Sequence, residues 1–139
     1  MATLSPPLDA RMLAKALAAG SVDDPFAYLG PHALPDGKMH VRVFRPDAKH
    51  VWLLPEAGGA PVPLTPQSEG LFDVTLERHP GHYRLRFASA EGGHTWEAED
   101  PYRFGLAVSF ETMSRFRAGR LYRAYEQFGC RPWTLDGVA

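Results

Sequence analysis

Through the middle of this 139-residue chain, apolar side chains alternate with polar ones. That is the period-two signature of strands with one buried face. Met39, Val41 and Val43 fall on one side of a strand over 39–45, with His40, Arg42 and Phe44 on the other. A second strand covers His50 to Leu54, after a turn at Pro46-Asp47, where proline presets φ and aspartate bonds the turn backbone. A third, Leu71 to Leu76, places Phe72, Val74 and Leu76 together. His79-Pro-Gly-His82 is turn chemistry. Tyr83 to Phe87 then runs with Tyr83, Leu85 and Phe87 inward and Arg84 and Arg86 outward. Glu91-Gly-Gly-His94 reads as a hairpin loop, and Thr95 to Ala98 as the returning strand. A weaker strand over Pro61 to Leu64 is confined to an edge by its prolines. About six short strands at roughly ten-residue spacing predict an antiparallel, immunoglobulin-like β-sandwich.

The two ends follow a helical period instead. Leu13, Ala16 and Leu17 share a face, with Asp9 placed to cap the start and Gly20 to end the helix. Asp24 before Pro25 opens one helical turn closed by Gly30. After Gly105, Phe110, Met113 and Phe116 recur at helical spacing, as do Leu121, Tyr125 and Phe128 ahead of Gly129. The expected organisation is an N-terminal helical arm over 1–21, a sandwich over 22–105 and a C-terminal helical arm over 106–139.

Composition narrows the possible functions. Fifteen Lys+Arg against sixteen Asp+Glu leave a formal charge of −1, unlike a protein that neutralises phosphates, so no nucleic-acid partner is expected. No apolar run approaches the roughly 18 residues of a membrane span. The single cysteine, Cys130, cannot form an internal disulfide, suits a reducing, cytoplasmic setting and is expected to be a small buried group. The length is too short for a (β/α)₈ barrel, which takes about 250 residues.

Catalytic signals are weak. Glu97, Glu99 and Asp100 cluster, but on a strand running into proline, where acids face solvent and Asp100 caps a nearby backbone N–H. His79 and His82 have a spacing that metals use, yet Pro80-Gly81 between them marks a turn, and no metal is expected. No nucleophile elbow, dinucleotide fingerprint or phosphate loop occurs. The aromatics offer more. Trp52, Trp96 and Trp133 accompany five Tyr and eight Phe. A tryptophan such as Trp52 commonly packs a sandwich core. Its flat ring is also suited to stacking on the apolar face of a pyranose, at about 0.5–1.5 kcal/mol per ring by analogy with aromatic pairs. Trp52 and Trp96 are therefore the candidate carbohydrate-binding residues, and Trp133 the cover of an apolar patch in the arm.

Two stretches carry a resemblance. Asp24-Pro-Phe-Ala-Tyr-Leu-Gly30 resembles the DPFxxLG opening of bacterial glycogen branching enzymes, the 1,4-α-glucan branching enzymes of the α-amylase superfamily. Glu99-Asp-Pro-Tyr-Arg-Phe-Gly105 resembles their DDPYRFG segment. Between them, Val41 to Ala48 and Val51-Trp-Leu-Leu54 are similar to the family's VRAFxPxAxxVWL strands. Leu121 to Glu126 and Asp136-Gly-Val138 resemble its linker. Leu106, where the family has proline, and Phe128-Gly-Cys-Arg131, where it has LGAH, depart from the pattern. The resemblance implies the N-terminal β-sandwich module of an enzyme that cleaves α-1,4-glucan and forms α-1,6 branches. The nucleophilic Asp and acid/base Glu of such an enzyme lie on a barrel that this chain would stop short of, so no catalytic residue and no cofactor is expected here. The implied partners are α-glucan (glycogen, malto-oligosaccharide) and, through the helical arm, the remaining domains of the same enzyme. The alternative is a domain-packing module without sugar contact.

Overall fold

A computed structural model describes residues 9–89, 93–134 and 137. Its elements are α1 (Ala10–Ala18), β1 (Gly30–Ala33), β2 (Met39–Phe44), β3 (Ala48–Pro55), β4 (Val62–Pro63), β5 (Thr65–Ser68), β6 (Leu71–Leu76), β7 (Tyr83–Ser89) and β8 (Thr95–Glu99). Helices α2 (Phe110–Arg117) and α3 (Tyr125–Phe128) follow, and short 3₁₀ turns cover Pro25–Ala27 and Pro101–Phe104. The chain divides into two compact units, 1–104 and 105–139.

Among the described residues of the first unit all strand pairs are antiparallel, in two four-stranded sheets ordered β1-β2-β6-β5 and β4-β3-β7-β8. The alternation read from sequence sets which face is buried. Met39, Val41, Val43 and Phe72 of one sheet meet Val51, Leu53, Tyr83, Leu85 and Phe87 of the other in a single core. The antiparallel sandwich expected from the pattern is thus present. The edge strand expected near Pro61 is β4, which pairs with β3 at Trp52 and Leu53.

The outer face of the first sheet is not left to water. Helix α1 lays Leu13 and Ala14 on Leu71, with Leu29 completing a second apolar cluster that Phe44 and Tyr102 flank. This is why β6 buries both Leu71 and Phe72, which alternation alone assigns to opposite environments. Asp9 stands at the N-cap of α1 but its side chain makes no capping bond.

In the second unit, Ser109 caps α2 by accepting from the Thr112 N–H at 3.1 Å. Phe116 and Phe128 pack edge to face at 5.0 Å. Phe110, Tyr122 and Tyr125 are exposed. Cys130 is exposed as well, which corrects the expectation that it is buried. The position has no buried residue near it in sequence to hold it inside, since no residue of α2 or α3 is buried. Residues 91 and 92 of the expected hairpin loop, and Asp136 and Val138 of the expected linker stretch, lie outside the described residues.

Candidate functional site

The second sheet turns its other face outward. In β3, Val51 and Leu53 point to the core, so Trp52 and Leu54 must point away, and both are partly buried. Trp52 is therefore not the core tryptophan that its residue type suggested. Pairing register sets its neighbours. Pro63, Trp52, Arg86 and Glu97 lie in one cross-strand row, and Leu54, Arg84 and Glu99 in the next. Residues opposite one another in a row share a face, so the ring and the two charged side chains of its row occupy about 10 Å across the strands. The His50 ring stands 5.8 Å from Trp52.

The charges form one network. Arg86 donates from Nε and Nη2 to Glu97 Oε1, at 3.1 and 2.9 Å. Arg84 Nη1 donates to Glu97 Oε2 at 3.4 Å, and its Nε lies 3.5 Å from Glu99 Oε1. Glu99 Oε2 receives Arg103 Nη2 at 3.3 Å and faces His82 Nε2 at 3.4 Å. His82 Nδ1 pairs in turn with Glu56. Each such exposed pair is worth little in stability, about 0–1 kcal/mol. Together they fix the direction of several donors around an indole ring.

Trp96 sits differently. It pairs with Phe87, whose side chain is in the core, and so lies on the inward face at the sheet edge. Its ring stacks on Phe87 at 5.4 Å and His94 at 5.5 Å, with the Arg45 guanidinium 5.7 Å from its centre. The structure does not bring Trp52 and Trp96 together on one face. Trp133 is partly exposed in the second unit.

Asp100 has a buried role. It accepts from Tyr83 Oη at 2.6 Å and from the Tyr102 N–H at 3.0 Å. Burial pushes its carboxyl above the ordinary value, and the hydrogen bonds from Tyr83 and Tyr102 and the Arg103 charge act against this. Burial, then the neighbouring Asp100 charge, likewise raises the Tyr83 phenol. Tyr102 reaches across to the start of β1. Its ring meets Phe26 edge to face at 5.0 Å, and its backbone passes so close to Gly30 that a Cβ there would stand 2.7 Å from Tyr102 Cβ. The two motifs Asp24–Gly30 and Glu99–Gly105 thus meet in space as a buckle. It joins the edge of one sheet to the end of the other.

His79 closes its own turn, its Nδ1 accepting from the Gly81 N–H at 2.9 Å. Among the described residues no group of three or more His, Cys, Asp or Glu is placed to hold a metal ion. No helix of the described residues is long and apolar enough to cross a membrane. The partners of Trp52 on its face went unassigned in the sequence. The signal that could have found them is parity: Trp52 is out of phase with Val51 and Leu53, and Arg84 and Arg86 are out of phase with Tyr83, Leu85 and Phe87.

Comparison with known proteins matches residues 11–102 to the family described as alpha-1,4-glucan branching enzyme GlgB, N-terminal domain. A 1,4-alpha-glucan branching enzyme GlgB of Cereibacter sphaeroides is 39% identical over 127 residues, covering 88% of this chain and 17% of that protein. The enzyme of the same name from Rubrobacter xylanophilus is 40% identical over 126 residues, covering 89% of this chain and 17% of that one. The chain spans about a sixth of the length of the curated relatives it matches. Among solved structures, a pullulanase of Paenibacillus barengoltzii in complex with maltohexaose and alpha-cyclodextrin superposes with a TM-score of 0.44 at 23% identity. That match covers 63% of this chain and 16% of the pullulanase.

Proposed function

Since the chain belongs to the family of alpha-1,4-glucan branching enzyme GlgB N-terminal domains, we propose that it serves as the accessory β-sandwich of such an enzyme and helps to hold α-glucan. The enzyme would cleave α-1,4 chains and rejoin them as α-1,6 branches, with glycogen or malto-oligosaccharide as the bound polymer. The single free cysteine supports placing it in the cytoplasm. The observation that carries the binding role is the row Pro63, Trp52, Arg86 and Glu97 on the outer face of β4, β3, β7 and β8. An indole edged by fixed guanidinium and carboxylate groups presents a flat apolar patch beside hydroxyl-bonding partners, the arrangement a pyranose needs. Trp96, engaged with Phe87 and His94, is assigned to supporting the sheet edge, a lesser part in any sugar contact.

Titrating the chain with maltoheptaose while following tryptophan fluorescence tests this reading. A saturable change should appear, survive Trp96→Phe and vanish in Trp52→Ala. No change in the wild-type chain up to millimolar sugar overturns it.

One observation favours a packing role in addition. Phe110, Tyr122 and Tyr125 of the second unit are 79%, 87% and 71% exposed. Such rings fit burial against the remaining domains of the enzyme. The chain by itself should self-associate at high concentration, and replacing Phe110 and Tyr125 by serine should abolish this.

A further inference from the structure

We infer that Glu97 is the specificity-determining residue of the Trp52 face, selecting uncharged glucan over anionic polysaccharide; this rests on the glucan-binding reading above. The face carries two arginines, Arg84 and Arg86, which by themselves would attract any polyanion, while Arg103, its side chain only 9% exposed, bonds Glu99. Three glutamates, Glu56, Glu97 and Glu99, answer them, with His82 between Glu56 and Glu99. Glu97 holds the central place. Both of its oxygens are used, Oε1 by Arg86 and Oε2 by Arg84. Arg86 is the residue directly across from Trp52. Arg84 has a second carboxylate within reach in Glu99, at 3.5 Å.

The chemistry follows from that arrangement. A guanidinium has five N–H donors, and the bonds from Arg86 to Glu97 use two of them, so donors remain for neutral hydroxyls. A sulfate or phosphate ester arriving at Arg86 must instead compete with a carboxylate already seated there, and meets its repulsion. The same groups that suit a polyhydroxyl chain therefore reject a charged one.

Neutralising Glu97 tests this on the whole chain, with maltoheptaose and dextran sulfate as probes. In Glu97→Gln, dextran sulfate should bind at least about five-fold more tightly than to the wild type. That gain should fade as salt is raised. Glu97→Asp, which keeps the charge, should retain the wild-type preference. Glu77→Gln removes the same charge beside Lys38, away from this face, and should gain little. If Glu97→Gln stays folded and binds maltoheptaose but gains nothing for dextran sulfate, the inference is overturned and the glucan reading stands. Equal gains in Glu77→Gln and Glu97→Gln also overturn it, since net charge alone then explains them. If the wild type binds no maltoheptaose, the glucan reading falls and the selection falls with it.

Discussion

Replacing Tyr83 by Phe removes one oxygen from a contact that water does not reach. Tyr83 is 0% and Asp100 2% exposed, and the bond between them is 2.6 Å long. The ring and its packing stay, so the cost comes from the carboxylate. Asp100 Oδ2 loses its donor while Oδ1 keeps the Tyr102 N–H. A hydrogen bond to a charged group contributes about 1.5–3 kcal/mol, so a loss of about 2 kcal/mol is expected at neutral pH. For a unit of this size that lowers the melting temperature by roughly 8–16 °C. The loss must also depend on pH. Burial raises the Asp100 carboxyl from 3.8, and the Tyr83 bond acts against that shift by favouring the ionised form. Without the bond, the folded-state value rises further. A carboxyl raised on folding contributes stability in its protonated form, and that contribution disappears as pH climbs from 3.8 through the folded value. The Tyr83→Phe penalty is therefore largest at neutral pH and shrinks toward about pH 4, where protonation relieves the stranded charge. Urea unfolding of both chains at pH 7 and near pH 4 measures it. A loss below about 0.5 kcal/mol at pH 7, or the same loss at both values, refutes the reasoning.

Gly30→Ala and Gly37→Ala separate backbone strain from collision, since both glycines have φ of +83°. A Cβ at Gly37 meets nothing within 4 Å, so thermal melts should show only the left-handed penalty of about 1 kcal/mol. At Gly30 the same Cβ meets Tyr102 Cβ at 2.7 Å and its carbonyl oxygen at 2.8 Å, and the total loss should exceed about 2 kcal/mol. His40, whose imidazole is lowered from 6.5 chiefly by burial, should make the fold less stable in acid. Its unfolded form takes up the proton first, so stability falls as pH drops below 6.5 and levels off below the folded value. Unfolding free energies of His40→Gln should diverge from wild type in that window, and parallel curves would contradict the assignment.

The central strands were legible because each has one dry face. Val41, Val43, Leu85 and Phe87 repeat at period two and are buried as read. Strands β1 and β5 were not, for a physical reason. Gly30-Pro-His-Ala33 and Thr65-Pro-Gln-Ser68 bury little, and each contains a proline that an edge can accommodate. Their places are given by pairing with β2 and β6, which is a tertiary fact. Leu71 misled the parity reading because α1 covers that side of the sheet, and a strand cannot announce a helix that ended far earlier in the chain, at Ala18. Trp52 shows the opposite failure. Its phase against Val51 and Leu53 already pointed outward, while the habits of tryptophan pointed in.

The stretches that carry the family resemblance serve two ends, since they supply Trp52 and Glu99 to the outer face and other residues to the fold itself. Phe26, Gly30, Asp100 and Tyr102 are drawn from the two most distinctive motifs, and all four meet in the buckle between the sheets. None of them faces the row that holds Trp52. Their spacing is demanding because Gly30 tolerates no side chain and Asp100 must find Tyr83 across a buried gap, constraints that geometry imposes whatever the domain binds. The outer face is under a different constraint. Its arginines and glutamates gain little stability from pairing, so their arrangement is free to suit a ligand. Breaking the buckle weakens the fold that carries the face; removing Trp52 takes the ring from the face itself. Only the second kind of variant reports on sugar.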